Sequence, residues 1–212
     1  MTRFQYRKLD NSLASFEFIK RESEKYWESI ELELCWGYQI QQGSRWKQGL
    51  VEQQLADFQQ QVGVQFSESL KNYYRTMNGL DKPGLDTCGG EGEVEFGPTF
   101  YSYPDDVARI KDYIAWVIED NHVAKEAAHS LVPAVFPYYG HAFLILDKEE
   151  RVLSMRGSDI IFWAENLSKG IANVIFSFGS RVDLEKVNEN SFWNKKALVL
   201  EEIRKRSFLN QG

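Results

Sequence analysis

Residues 132–173 constrain the fold more than any other part of the chain. This stretch contains four short apolar runs, followed by a segment with a different period. The runs cover residues 131–136, 142–146, 152–155 and 160–163, and turn-forming residues separate them. Short runs rich in Val, Ile, Phe and Leu, bounded by Pro, Gly and Asp, predict β-strands. Connections this short permit only antiparallel neighbours, because a parallel return needs a crossover of about a dozen residues. The stretch therefore predicts an antiparallel meander.

The second run, residues 142–146, is apolar at every position, which predicts a central strand covered on both faces. After the fourth run the period changes. Leu167, Ile171, Val174 and Phe178 recur at steps of three and four residues, which is one face of a helix. This helix is expected to close over the meander.

Amphipathic helices are predicted on both sides of the meander. Apolar residues at helical spacing mark residues 13–34, a helical hairpin within residues 46–79, a helix from Pro104 to near Asn121, and a C-terminal helix within residues 188–212. In the helical hairpin, Ser67 is expected to cap the second helix and Gly79 to end it. Helices, then contiguous strands, then helices predict an α+β fold with a mainly antiparallel sheet flanked by helices.

This pattern also suggests how the chain is organised. We expect an N-terminal helical extension in residues 1–43, a single domain in residues 44–187, and a C-terminal helix in residues 188–212 that packs on the domain. No internal repeat interrupts this arrangement.

Composition narrows the classes of function. The net charge of −6 argues against a nucleic-acid partner, which needs a basic face, and is compatible with a basic protein partner. No apolar run is long enough to cross a membrane, and the first residues contain no hydrophobic signal region. Cys35 and Cys88 are far apart, and two free thiols suit a reducing cytoplasm. We therefore expect a cytoplasmic protein without a membrane partner.

Residues 80–98 differ in composition from the rest of the chain. They contain five glycines and one lysine, together with the acidic residues Asp81, Asp86, Glu91, Glu93 and Glu95. The pattern predicts a long acidic surface loop, or such a loop ending in a short strand at residues 94–96, and loops of this length are often functional.

Two tyrosines are further candidates for contact with a partner. The aromatic residues Tyr138, Tyr139, Phe162 and Trp163 are expected to be mostly core residues. Tyr138 and Tyr139 lie beside Gly140 in a predicted turn, however, which leaves exposure as an alternative, and exposed tyrosine is favoured in protein interfaces.

Several chemical roles for these residues are less favoured than the interpretation that they form a solvated surface. Glu91, Glu93 and Glu95 would share one face of a strand and resemble a carboxylate pair of a glycosidase only in that respect. Asp81, Asp86 and Glu91 lack the spacing of a calcium loop. No activating motif surrounds a Cys88–His141 pair. His141 is instead expected to make a structural hydrogen bond at a strand start, and no cofactor or metal is predicted.

Two stretches together resemble the SUKH superfamily, which includes the fungal Smi/Knr-type regulator of cell-wall synthesis and bacterial immunity proteins against polymorphic toxins. The first comprises Trp46, Val51-Glu52, Leu55, Val62-Gly63, residues 69–74 and Asn78-Gly79. The second comprises Val132-Pro133, Gly140-His141, Phe143-Leu144, Arg151-Val152, Ser154 and residues 159–163. The sequence has Phe66-Ser67 where the family usually has Leu-Pro, and residues 1–40 have no counterpart.

The resemblance implies a single α+β domain without catalytic machinery that acts by binding another protein. The preferred hypothesis is an immunity-type protein whose acidic loop meets a basic toxin domain, of the nuclease or deaminase class, in the cytoplasm. One alternative is a regulatory or scaffold protein of the same fold with a cellular partner. A more remote alternative is a hydrolase that uses the acidic-loop carboxylates. The sequence leaves the oligomeric state open.

Overall fold

A computed structural model describes residues 1–32, 37–87, 94–123, 132–179 and 182–209. The α-helices are α1 (Arg3–Arg7), α2 (Leu13–Trp27), α3 (Glu52–Val62), α4 (Glu68–Thr76), α5 (Val107–Asp120), α6 (Leu167–Phe176) and α7 (Phe192–Leu209). The β-strands are β1 (Trp46–Gln48), β2 (Met77–Leu80), β3 (Gly84–Asp86), β4 (Glu95–Gly97), β5 (Val135–Tyr139), β6 (Ala142–Ile145), β7 (Val152–Arg156) and β8 (Asp159–Ala164). A short 3₁₀ helix covers Leu184–Lys186.

The predicted α+β fold and its antiparallel meander are confirmed. Strands β5 to β8 form a four-stranded sheet in chain order, and every adjacent pair is antiparallel. Strand β6 lies between β5 and β7 and is buried at every position, as its uniform apolar sequence predicts. Strand β5 differs from the expectation, because it runs through Pro137 to Tyr139 instead of turning at Pro137. A proline is tolerated there because β5 is an edge strand of this sheet.

The meander separates two apolar clusters. Alternate residues of a strand point to opposite faces, so Ala142 and Leu144 join one cluster while Phe143 and Ile145 join the other. Helices α2, α3, α4 and α6 pack on the first face, and α7 packs on the second. The sheet is therefore covered on both sides.

The C-terminal helix is anchored by a tryptophan. Trp193 of α7 is fully buried, and its Nε1 donates a hydrogen bond of 2.7 Å to the carbonyl oxygen of Pro133. Near the other end of the helix, Arg204 pairs with Asp159 and donates to the carbonyl oxygen of Ile160 on the edge strand β8. Within the described ranges, no helix combines the length and apolar character that crossing a bilayer would require.

Helices α3 and α4 form the predicted helical hairpin. Gly63 ends α3 in a left-handed conformation, and the Ser67 hydroxyl accepts a hydrogen bond from the Leu70 N–H as the cap of α4. The predicted end of α4 at Gly79 is wrong. The helix ends at Thr76, and the next four residues form β2, which pairs with β1 and places Gly79 against Ser102.

The N-terminal helix α2 is part of the core. Phe16, Ile19 and Trp27 of α2 are fully buried. The helix ends at Trp27, before the expected end near residue 34, because the Trp27 carbonyl accepts a hydrogen bond of 2.8 Å from the Gly43 N–H as the chain reverses. Residue 34 itself lies outside the described residues. The N-terminal segment thus packs on the rest of the chain through α2.

Asn11 fixes the entry to α2 by contacts with three distant parts of the chain. Its amide nitrogen donates to Ser69 in α4 and to Glu150 in the turn between β6 and β7. Its side-chain oxygen accepts a hydrogen bond of 3.1 Å from the Ser168 N–H in the first turn of α6. These bonds connect the N-terminal segment to both halves of the family-like sequence.

Candidate functional site

Strands β3 and β4 pair as antiparallel neighbours, and residues 84–97 are called here the acidic hairpin, of which residues 88–93 lie outside the described residues. Its register pairs Gly84 with Gly97, Leu85 with Phe96 and Asp86 with Glu95. The other edge of β3 exchanges two hydrogen bonds of 2.9 Å with Gln39. Strand β3 therefore has partners on both sides, and β4 is the outer strand. A short strand is present close to the predicted residues 94–96, with bounds of Glu95–Gly97, whereas β3 falls within the stretch that was predicted as loop.

The base of the acidic hairpin is seated on the ring of Tyr38. A Cβ atom added at Gly97 would lie 2.6 Å from Cζ of Tyr38, and one added at Gly84 would lie 2.7 Å from its Cβ and 2.5 Å from Cγ2 of Thr99. A larger residue at either position would require the Tyr38 side chain, the Thr99 side chain or the strand itself to shift. The two glycines thus allow a close approach that fixes the hairpin on the domain.

The predicted acidic residues divide into two groups. Asp81 accepts a hydrogen bond of 2.7 Å from the Arg45 N–H, and Asp86 accepts one of 3.0 Å from the Gly37 N–H, so both carboxylates hold the hairpin base in place. Glu95 is exposed and, among the described residues, has neither a hydrogen bond nor an ion pair from its side chain. Glu91 and Glu93 lie outside the described residues.

Asp86 and Glu95 are directly opposite each other across the two strands. Like charges in this arrangement destabilise a strand pair. The hydrogen bond that Asp86 accepts from the Gly37 N–H stabilises its carboxylate in this position.

The opposite face of the acidic hairpin is apolar and exposed. Phe96 is 61% exposed and Val94 is 46% exposed, and both lie on the face away from Glu95. Sequence reasoning did not select Phe96 as a contact residue. The period-two alternation of Glu93, Val94, Glu95 and Phe96 was the available indication, because it places acids on one face and apolar residues on the other.

The alternative of an exposed Tyr138 is wrong. Tyr138 is a residue of β5 and not of a turn, and its side chain is fully buried. Its hydroxyl packs against Gly170 of α6, where an added Cβ atom would lie 2.5 Å from the hydroxyl oxygen. Burial raises the pKa of this phenol well above its ordinary value. Tyr139 is half-buried and packs on Phe100, with ring centroids 4.8 Å apart. Its role in binding a partner stays a prediction.

The residues considered for catalysis or metal binding are not brought together in the part of the chain that the structure describes. No group of three or more His, Cys, Asp or Glu side chains there is placed to hold a metal ion. Cys35, Cys88 and Glu91 lie outside the described residues, and with them the Cys88–His141 pair and the calcium interpretation. The arrangement of Glu95 and Asp86 is that of a charged surface.

His141 occupies a different environment from the one expected. Its ring packs against Tyr113 and Trp116, with centroids 5.9 Å and 6.0 Å away, and its buried Nδ1 has no hydrogen-bond partner within the described ranges. Burial, and then the nearby Arg156 guanidinium, lower the pKa of His141 below its ordinary value. The expected structural hydrogen bond is therefore absent at Nδ1.

This environment predicts a pH dependence of stability. The folded protein binds a proton at His141 more weakly than the unfolded chain, so stability is full above the unfolded pKa of about 6.5 and falls as the pH drops below it. Urea unfolding at about pH 7.5 and about pH 5.5 should show a larger loss for the wild type than for His141→Phe. The difference is at most about 1.4 kcal/mol per pH unit, the limit for one proton. Equal losses in both proteins would contradict this account.

The fold and the site together define an α+β protein with a four-stranded antiparallel meander and helices on both faces of the sheet. An exposed acidic hairpin projects a charged surface from this fold. The family model described as the SMI1 / KNR4 family (SUKH-1) matches residues 49–180, more than half of the chain, and the chain belongs to this family. A search of curated proteins finds no match. The family match begins after α2, although α2 supplies part of the core.

Proposed function

We propose that this chain is a non-enzymatic protein-binding module whose acidic hairpin docks on a basic surface of another protein. The observation that carries the proposal is the combination of acidic and apolar residues on one exposed element. Glu95 and Asp86 are paired on one face, and Phe96 is exposed on the opposite face. Aromatic residues are enriched in protein interfaces.

The two faces of the hairpin would contribute differently to binding. The carboxylates would attract a basic partner and raise the rate of association, an effect that weakens with salt. Phe96 and Val94 would be buried on contact and would slow dissociation, since most differences in affinity lie in the dissociation rate. The seat on Tyr38 holds Gly84 and Gly97, at the base of the hairpin, against the domain.

We further propose that the partner is a toxin domain, of the nuclease or deaminase class, which the chain neutralises in the cytoplasm. Membership of the SMI1 / KNR4 family supports this role, together with the acidic net charge of −6. A protein that acts on nucleic acid presents a basic surface to its substrate. An acidic hairpin can occupy that surface by charge complementarity alone, without chemistry.

The test begins with the gene adjacent to the one that encodes this chain. Its product, or failing that a protein recovered by affinity purification and mass spectrometry, is purified and its association with the full chain is measured by surface plasmon resonance. The variant Glu91→Lys/Glu93→Lys/Glu95→Lys is expected to associate at least about tenfold more slowly at low salt. Phe96→Ala is expected to dissociate about tenfold faster or more, as for a hot-spot residue. Asp81 and Asp86 are left unchanged because they hold the hairpin base.

A matched control makes the same change in net charge at residues outside the hairpin. Glu119→Lys/Glu185→Lys/Glu189→Lys reverses three exposed carboxylates outside the hairpin, and its association rate should stay close to that of the wild type. Equal rates for the hairpin and control variants would count against docking through the hairpin.

The toxin role has a separate readout. A stoichiometric amount of the chain should abolish the partner's toxic activity, and the hairpin variant should require more. Binding through the hairpin by a partner without such activity would favour the regulatory or scaffold alternative over toxin neutralisation.

A further inference from the structure

A cleft of ≈ 540 Å³ lies between α1 and the start and end of α6. This volume is within the range of small-molecule sites, about 300–1,000 Å³. None of the described residues of the acidic hairpin lines this cleft. The lining side chains that matter for the argument are Arg3, Tyr6, Arg7, Glu165, Lys169 and Phe178.

The cleft carries a net positive charge in an acidic protein. Arg3 and Arg7 are one turn apart on α1 and so lie on the same face, where like charges destabilise a helix. Within the residues that the structure describes, neither arginine has a carboxylate partner, whereas Arg45, Arg75 and Arg204 are all ion-paired. Two guanidinium groups that line one cleft without a carboxylate partner are a favourable site for an external anion.

Contacts with other residues of the cleft position its cationic side chains. Arg3 donates a hydrogen bond of 3.3 Å from Nη2 to the Phe178 carbonyl oxygen, which directs its guanidinium toward the cleft wall. Lys169 adds a third cation and pairs with Glu165, the single carboxylate in the lining. The lining therefore has three cationic side chains and one carboxylate, and this excess of positive charge can be neutralised by a dianion.

An aromatic wall completes the cleft. The rings of Tyr6 and Phe178 pack with centroids 4.8 Å apart, and Phe176 continues the row at 5.9 Å from Phe178. Burial raises the pKa of Tyr6 above its ordinary value. The phenol is therefore neutral at physiological pH and does not repel an anion. Such a wall suits the flat face of a ring.

We propose that this cleft binds a small dianionic ligand that carries a flat ring, with the anion on Arg3 and Arg7 and the ring against Tyr6 and Phe178. Phosphate and dicarboxylate groups share this chemistry, because the guanidinium fork matches both. The proposal is independent of the acidic hairpin and would stand if the hairpin bound no partner.

The experiment uses the full chain and follows backbone amide shifts of cleft residues by two-dimensional NMR at low salt. The probes are adenosine 5′-monophosphate, phthalate, adenosine and inorganic phosphate. Saturable shifts around Tyr6, Lys169 and Gly179 are expected with at least one of the first two, which combine ring and dianion. Binding by adenosine 5′-monophosphate alone assigns a phosphate ligand, binding by phthalate alone assigns a dicarboxylate, and binding by both shows that charge and ring suffice. Adenosine and inorganic phosphate should bind at least about tenfold more weakly, since each keeps only half of the contacts.

Two variants distinguish binding in the cleft from a general effect of the protein's charge. Arg3→Gln/Arg7→Gln should weaken binding of the responding probe at least about tenfold, because both guanidinium contacts are lost. Lys8→Gln is the matched control: Lys8 is on the same short segment but lies over the Phe4 ring, 4.2 Å from its centroid, and does not line the cleft. Its affinity should change by less than about twofold. The proposal is overturned if neither ring-bearing dianion gives saturable shifts, or if the double variant binds as tightly as the wild type.

Discussion

Removal of residues 1–43 is expected to leave a chain that does not fold. Phe16, Ile19 and Trp27 of α2 are fully buried in the same cluster as the helical hairpin and one face of the meander. Loss of a buried large side chain costs about 2–5 kcal/mol, so the three together approach about 10 kcal/mol. A domain of this kind is stable by only about 5–15 kcal/mol in total.

Polar contacts across the same boundary add to this loss. The indole Nε1 of Trp46 donates a buried hydrogen bond of 2.8 Å to Ser23 of α2, and the Lys20 ammonium donates one of 3.0 Å to the Thr76 carbonyl oxygen at the end of α4. Truncation would leave the indole N–H of Trp46 without this partner, which carries a further penalty. The rings of Trp27 and Trp46 also pack at 5.5 Å.

Circular dichroism and NMR of residues 44–212 provide the measurement, and full-length variants guard against an artefact of truncation. Phe16→Ala should lower the free energy of unfolding by about 3–5 kcal/mol. Phe4→Ala should change it by less than about 0.5 kcal/mol, because Phe4 is 67% exposed. A cooperative unfolding transition in residues 44–212 would show that α2 is dispensable, although the family match begins only at residue 49.

Gly49→Ala should destabilise the protein by about 3 kcal/mol or more. A Cβ atom at this position would lie 1.8 Å from the carbonyl oxygen of Arg75 and 2.3 Å from its carbonyl carbon. Both are backbone atoms at the end of α4, so no side-chain rotation can make room. The adjacent Leu50 N–H donates a hydrogen bond of 2.8 Å to the Tyr74 carbonyl oxygen, which holds the two segments together.

Equilibrium unfolding in urea measures this effect, and Gly63→Ala is its control. Gly63 has φ of 72°, a conformation that costs alanine about 1 kcal/mol, but an added Cβ would meet no heavy atom within 4 Å. The two variants make the same chemical change, so a larger loss at Gly49 than at Gly63 reports the close approach at Gly49, even though the loss at Gly63 includes the cost of its positive φ. A Gly49→Ala variant as stable as Gly63→Ala would contradict the packing described for β1 and α4.

The features that were predicted correctly depend on neighbours in sequence. The meander follows from apolar runs joined by tight turns, and the helices α3 and α4 follow from stripes bounded by Gly63 and Ser67. Each is specified within a few residues of chain. The central position of β6 was predictable for the same reason, since its composition alone requires cover on both faces.

The features that were missed depend on distant contacts. Strand β1 pairs with β2, which turned the expected helix stop at Gly79 into part of a strand. Asn11 reaches residues of α4, the β6–β7 turn and α6, and no local pattern distinguishes it from any other asparagine. At the candidate site, the acidic residues were visible in the composition. The internal use of Asp81 and Asp86, and the burial of Tyr138, required the tertiary structure.

Adjacent positions of β6 belong to different halves of the molecule. Phe143 packs with the C-terminal helix side, while Leu144 packs with the N-terminal helices. A change of side-chain volume at one position therefore needs compensation only on its own side, because the backbone of the sheet stands between the two. Over evolutionary time, the layer beneath α7 and the layer beneath α2 are free to diversify at separate rates while the strand order stays the same.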